Sequence, residues 1–165
     1  MYKRQVQGGP QLPASITVDS LGSWTDFVGD EYKAFSGTAV YTTTINKVPV
    51  ADVIKLDLGS VAENASVYLN GDYIGTVIDS PYQLYIPAEK FKGQDELVVR
   101  VANSMANRIA YMDKKGVDWK IFYNVNMSAR KKENVKNGIF DASDWEPKSS
   151  GLLGPVTLTP AMVKQ

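Results

Sequence analysis

The sequence contains neither cysteine nor histidine. Without cysteine there is no disulfide, no thiolate nucleophile and no cysteine-held zinc. Without histidine the usual general base near neutral pH is missing, as is the commonest transition-metal ligand. Ser-His-Asp hydrolysis is therefore impossible within these 165 residues. Any remaining chemistry falls to carboxylates, Lys or Tyr. An excess of one charge is absent too: 18 Lys and Arg balance 18 Asp and Glu, so the formal net charge is zero. Proteins that bind a nucleic-acid duplex carry a basic excess, because neutralising phosphate dominates their affinity. Nucleic acid is accordingly not an expected partner, and a neutral ligand such as a sugar is. No apolar run approaches the roughly 20 residues of a membrane span, so no membrane partner is expected. Met1 to Pro10 lacks the apolar stretch of a signal peptide. An export signal of a parent protein would lie outside this stretch.

What is present is ordinary globular material, with 44% hydrophobic and 22% charged residues. The length suits a single domain over residues 1–165, able to bury about 70% of its unfolded surface. Strand signals recur along it. Residues 36–45 are rich in Thr, Val and Tyr, which suit a pleated, half-buried surface. Ile54, Leu56 and Leu58 alternate with Lys55 and Asp57, a period of two that leaves one face wet. Ala65, Val67 and Leu69 alternate again and run into Asn70-Gly71, a pair that predicts a type I′ hairpin because both positions need positive φ. Tyr73–Ile78 reads as the returning strand. Further strands are expected at 82–86, at 97–101 and at 156–158 before Pro160, with a short one over Ile16, Val18 and Leu21. One weak turn at Ala88–Phe91 is the sole helix candidate. Many short strands without helices predict an all-β sandwich of jelly-roll type.

Residues 103–150 break the pattern. They hold two of the three Trp, several Asn and the basic run Arg130-Lys131-Lys132. A long connection with its own aromatic content is usually functional or packs on something.

Several ordered segments resemble a known family. Phe35-Ser36-Gly37-Thr38-Ala39-Val40-Tyr41 is similar to the opening of the sugar-binding jelly-roll domain of family 2 glycoside hydrolases. Leu56-Asp57-Leu58-Gly59, the Ala65–Leu69 strand with Asn70-Gly71, Gly75-Thr76, Pro81-Tyr82 and the 97–103 strand continue the match in order. Ser150-Gly151-Leu152-Leu153-Gly154-Pro155-Val156, together with Asn107-Arg108, more closely resembles the C-terminal sandwich of the family 106 α-L-rhamnosidases. The resemblance spans roughly residues 22–160. It implies a galactose-binding-like β-sandwich attached to a separate catalytic barrel of a larger bacterial glycoside hydrolase, periplasmic or secreted. The catalytic carboxylates of such enzymes lie on the barrel, so no catalytic residue is expected here. The implied carbohydrate is a galactoside, rhamnoside or plant oligosaccharide. Some of these sandwiches bind calcium, but no ligand set can be matched.

Within 103–150, Trp119, Phe122, Tyr123 and Trp145 offer rings on which the C–H face of a sugar stacks. Asn103, Asn107, Arg108, Asp113, Asp118 and Asn124 lie near in sequence as hydrogen-bonding partners. Trp119, Tyr123, Trp145, Asn107 and Arg108 are the candidate carbohydrate-binding residues. The alternative is that the aromatics cover one end of the sandwich or pack on the barrel. Arg108 is equally suited to a surface ion pair with Asp113 or Asp118. Trp24 and Phe27 suit a lid over the core edge. Asp72, Asp79, Asp113, Asp141 and Asp144 are candidate oxygen ligands for calcium, which needs 6–8 of them, or simply solvated carboxylates. An autonomous carbohydrate-binding module and a pure interaction domain remain alternative functions.

Overall fold

The structure is a computed structural model that describes residues 12–120 and 131–161. It is an all-β sandwich. One sheet has four strands in the order β1 (Thr38–Ile45), β7 (Asp95–Ala102), β4 (Asn64–Leu69) and β5 (Asp72–Val77). The other has β11 (Thr157–Ala161), β2 (Val53–Asp57) and β6 (Gln83–Pro87). A short pair, β3 (Ser60–Ala62) with β10 (Gly151–Gly154), closes one end. Pairing between these strands is antiparallel.

The period-two segments explain the core. Ile54 and Leu56 on β2, with Leu58 and Ile86, point at Ala65, Val67 and Leu69 of β4 and Leu97, Val99 and Val101 of β7, and all of these are buried. Each fully buried aliphatic side chain contributes about 1.5–3 kcal/mol, so this inner layer is the main source of stability. Asn70 and Gly71 have φ of 52° and 86° and make the expected hairpin turn. A bulge between Val67 and Tyr68 then interrupts the β4–β5 register: Val67 faces Gly75, while Tyr68 faces Tyr73. Ile74 is the extra residue and packs on the core. The two-residue turn already sets Tyr73 opposite Tyr68 on the outer face, and the bulge, one residue later, brings Thr76 opposite Ser66.

Four expectations need correction. The strand over Ile16, Val18 and Leu21 does not form. Those side chains are 50%, 41% and 36% exposed, and the segment gains no ladder partner. The last strand does not stop before Pro160 but runs to Ala161, with Pro160 opposite Ile54. It lies at a sheet edge, where the missing N–H is not needed. The helix count is also different. Besides the 3-10 turn Ala88–Lys90, where a turn was expected, 3-10 turns form at Trp24–Asp26 and Lys132–Asn134, and a four-residue α1 (Asp30–Lys33) and a nine-residue α2 (Ala106–Lys114) form. α2 was hidden because its buried face carries Asn107 and Arg108 beside Met112, so no apolar stripe marks it. Finally, 103–150 is no featureless connection: it also contains the hairpin β8 (Val135–Lys136) and β9 (Ile139–Phe140).

Candidate functional site

The aromatic residues singled out in 103–150 come together as a small second core. Phe140 and Ala142 are buried, and Ile109, Trp119 and Trp145 pack against them. The Trp145 ring meets Phe140 edge-on at 5.8 Å between centroids. Both indole N–H groups are already committed. Trp119 donates to Asp113 Oδ1 at 2.7 Å, and Trp145 donates to Asn134 Oδ1 at 2.9 Å. Asp113 is itself a hub with a side chain only 1% exposed: Lys120 Nζ reaches Oδ1 at 2.6 Å, and the Ala142 N–H donates to Oδ2 at 2.8 Å. Polar groups here hold helix, loop and hairpin together, and each indole keeps a half-buried ring. Tyr123, with Phe122 and Asn124, lies outside the described residues.

Asn107 and Arg108 lie on the buried side of α2. Both are buried. The Asn107 amide donates to the Lys148 carbonyl and accepts from the Lys148 N–H, each at 2.8 Å, and so clamps the approach to β10. The Arg108 guanidinium lies 6.0 Å from the Tyr111 ring centre, and burial lowers its pKa against the opposing influence of Tyr111. Buried, Arg108 is not the surface group that an exposed ion pair with Asp113 or Asp118 calls for.

Ser150 is the centre of this seam. Its Oγ donates to the Lys148 carbonyl at 3.1 Å and accepts from Asn103 at 3.2 Å and Asn107 at 3.4 Å. Its N–H donates to Ser23 Oγ at 2.9 Å, and its carbonyl accepts from the Trp24 N–H at 3.0 Å. Asn103 also holds the 35–37 turn, donating to the Phe35 carbonyl and accepting from the Gly37 N–H, both at 2.9 Å. Next to it, the Leu152 N–H donates to the Tyr41 hydroxyl at 3.1 Å. Burial pushes the Tyr41 pKa up, and that N–H pulls the other way. Trp24 is wedged against Gly151 and edge-on to Phe35 at 5.3 Å, so it is a core residue rather than a lid. The Phe35–Gly37, Asn103, Asn107 and Ser150-Gly151 segments that carry the family resemblance are therefore mutual hydrogen-bond partners that build the fold.

The acidic residues considered for calcium do not converge. Asp113 is committed as above. Asp141 accepts from Ser143 and pairs with Lys136 at 3.3 Å, and Asp144 pairs with the same Lys136 at 3.1 Å. The Ser143 hydroxyl holds the Asp141 pKa low; burial opposes this, and the Ser143 N–H and Lys136 add to it. Asp79 caps the Ser80 N–H. Among the described residues no three His, Cys, Asp or Glu side chains could hold a metal ion. These carboxylates do not fit a calcium site, and no role is derived through one.

Two further surfaces stand out. A groove of about 720 Å³ runs between residues 12–22 and the β1 edge, walled by Trp24, Phe27, Tyr32 and Phe35. Apolar surface predominates in its lining, with Ser15, Thr17, Asp19 and Ser20 along one wall. On the wet face of the four-stranded sheet, Tyr68, Tyr73 and Arg100 form a cluster that sequence reading missed. Alternation in β4 and β7 marks Tyr68 and Arg100 as outward, and the two-residue Asn70-Gly71 turn sets Tyr73 opposite Tyr68.

No protein-family model matches the chain. A protein of Formosa agariphila named "Putative beta-glucuronidase" is 34% identical over 158 residues, 87% of this chain and 14% of that protein. A rhamnosidase from Novosphingobium sp. PP1Y superimposes with a TM-score of 0.71 and 30% identity, over 89% of this chain and 13% of that one. The chain thus spans about one seventh of each relative. No helix among the described residues is long and apolar enough to cross a membrane. Taken with the two facing sheets and the Ser150 seam, these matches show a jelly-roll β-sandwich similar to a segment of two much larger proteins, one named a β-glucuronidase and the other a rhamnosidase.

Proposed function

We propose that the chain is a non-catalytic accessory domain of a bacterial, periplasmic or secreted glycoside hydrolase of α-L-rhamnosidase or β-galactosidase type. It buttresses a catalytic barrel elsewhere in the parent protein and offers a carbohydrate-contacting surface. The carrying observation is that a complete sandwich, with its own core, matches only about one seventh of two much larger hydrolases. The commitment of its most buried carboxylates supports the same reading. Asp95 and Asp113 are consumed by hydrogen bonds within the fold, not poised across a cleft as a glycosidase pair must be.

For the carbohydrate contact, the half-buried faces of Trp119 and Trp145 are the groups to test, with Tyr123 beside them in sequence. Asn107 and Arg108 act behind them as positioning groups. The sugars to try are a galactoside, a rhamnoside and plant oligosaccharides. The names of the relatives add a glucuronide. Titrating these into the 165-residue chain while following Trp emission tests the contact. A saturable change lost in Trp119→Ala or Trp145→Ala supports it. No change at millimolar sugar removes this surface from the account and leaves the buttressing role alone. Saturable binding by the isolated chain is also what an autonomous carbohydrate-binding module would show. The half-buried Trp rings are the observation that keeps that second reading open.

A further inference from the structure

The outward face of the four-stranded sheet has a composition that neither the core nor the pairing of strands requires. Strand register arranges it in rows. Val40, Arg100, Ser66 and Thr76 form one row, and Thr42, Val98, Tyr68 and Tyr73 form the next. Thr38 and Thr44 extend β1 on either side. The four strands span about 14 Å across. Tyr73 is 59% exposed and meets Tyr68 at 5.5 Å between ring centres with an interplanar angle of 61°. The two rings form an open step rather than a sealed stack. The Arg100 guanidinium lies 4.6 Å above the Tyr68 ring. Ser66, Thr76 and Tyr73 join their hydroxyls in a line, with spacings of 2.7 Å and 2.9 Å.

Three features together identify an occupant. The exposed Tyr73 ring offers a face to the C–H side of a pyranose, with Tyr68, under the Arg100 guanidinium, packed against it. The ladder of Ser, Thr and Tyr hydroxyls both donates and accepts, as a hydroxyl-rich ligand needs. Tyr and Arg are common in protein interfaces as well, but Ser is depleted there, so the hydroxyl ladder is what marks this face for a sugar. Arg100 adds charge. It is exposed, and among the described residues no carboxylate lies within ion-pair reach of it. Glu96, the acid on the same strand face, is four residues along, about 13 Å away at strand rise. A guanidinium held over a ring and left without a carboxylate is set to accept a bidentate anion.

We infer that this sheet face is a second carbohydrate site that binds an acidic glycan, with Tyr73 as the stacking ring, Tyr68 supporting it and Arg100, the Ser66–Thr76 hydroxyls as the polar edge and Arg100 as the carboxylate anchor. It shares no residue with the 103–150 layer, so this inference and the accessory-domain reading fail separately.

The test is isothermal titration of the 165-residue chain with an oligomer of galacturonic acid and with its carboxyl-reduced, neutral counterpart. The acidic oligomer binds more tightly, and added salt weakens it selectively. Arg100→Gln weakens the acidic oligomer about tenfold and removes the preference between the two. Tyr73→Ala weakens both oligomers, while Tyr73→Phe, which keeps the ring, retains most of the affinity. Lys55→Gln, a cation removed from the opposite sheet, changes neither. Amide shifts in nuclear magnetic resonance map binding to Val40, Ser66, Val98 and Arg100. Unchanged affinity in folded Arg100→Gln and Tyr73→Ala, equal binding of the two oligomers by the unaltered chain, shifts confined to residues outside this face, or no binding at millimolar oligomer each overturn the inference.

Discussion

Replacing Asp95 with Ala should destabilise the sandwich by about 3 kcal/mol, although Asp95 touches no proposed ligand surface. Asp95 opens β7 and is 1% exposed. Its carboxylate accepts from Asn70 Nδ2 at 2.6 Å, from the Lys92 N–H at 2.8 Å and from the Gly93 N–H at 3.1 Å. Asn70 in turn accepts from the Glu96 N–H at 3.0 Å and donates its own N–H to the Glu96 carbonyl at 2.8 Å. One carboxylate thus ties the β4–β5 hairpin to the turn that starts β7. Hydrogen bonds to a charged acceptor are each worth about 1.5–3 kcal/mol net. Three of them would sum to more than the expected loss, but Lys92 and Gly93 are exposed, and water recovers part of it. A loss of 3 kcal/mol in a chain of this size lowers Tm by about 6–12 °C. The pH dependence has a definite sign. Burial works to raise the Asp95 pKa, but the Asn70, Lys92 and Gly93 bonds and the Lys92 charge outweigh it, and the folded-state pKa is lowered. The stabilisation is therefore fully present above the unfolded pKa of about 3.9 and disappears as pH falls through the folded value. Thermal unfolding of Asp95→Ala and Asp95→Asn beside the unaltered chain, at pH 7 and again below pH 4, reads this directly. The gap in Tm should be wide at pH 7 and narrower in acid. A Tm within 2 °C of the unaltered chain at pH 7, or a gap that widens in acid, would refute the reasoning.

Two other substitutions test separate parts of the fold. Gly59 has φ of +66°, and a Cβ there would meet the Gly154 backbone at 2.5 Å, so Gly59→Ala should cost about 3 kcal/mol through strain and forced separation of β3 from β10. Urea unfolding measures it, and a change below about 0.5 kcal/mol, the size of an ordinary surface substitution, would contradict the close approach. Asp113→Ala should loosen the 103–150 layer rather than the sandwich. Hydrogen exchange should quicken at Ala142 and Trp emission should shift to the red as Trp119 loses its acceptor, while protection of Val67, Val99 and Leu56 stays unchanged. Uniform loss of protection across both sheets would show that the layer is no separate unit.

The sheets were legible because their stabilising residues are apolar and alternate. Ile54, Leu56 and Leu58 announce a buried face against a wet one, and Asn70-Gly71 declares its own turn through two positive φ values. The 103–150 layer was not, because its interior is partly polar. Asn107 and Arg108 look like surface groups in the sequence, yet they line the buried side of α2, and Asn107 takes its amide partner from Lys148, 41 residues away. Nothing local encodes such a partner. A signal did exist for β8–β9: Asn137-Gly138, with φ of 53° and 77°, is the same turn chemistry as Asn70-Gly71. It went unread because the flanking strands have only two residues each and show no alternation. Of the two roles open to the aromatics, packing is the one the layer displays. Trp24 supports Gly151 from inside, and the indole N–H groups of Trp119 and Trp145 hold their own layer together. The Tyr68–Tyr73 pair was readable, since a two-residue Asn70-Gly71 turn sets these residues opposite each other; the bulge after Tyr73, which brings Thr76 opposite Ser66, was not.

The central claim is that this sandwich carries no chemistry of its own, its best-held carboxylates being spent on structure. The direct measurement is release of 4-nitrophenol from the aryl rhamnoside, galactoside and glucuronide by the purified chain. The account predicts rates indistinguishable from buffer at every concentration of protein. A saturable rate that scales with protein and disappears when one carboxylate of this chain is replaced by its amide would contradict it.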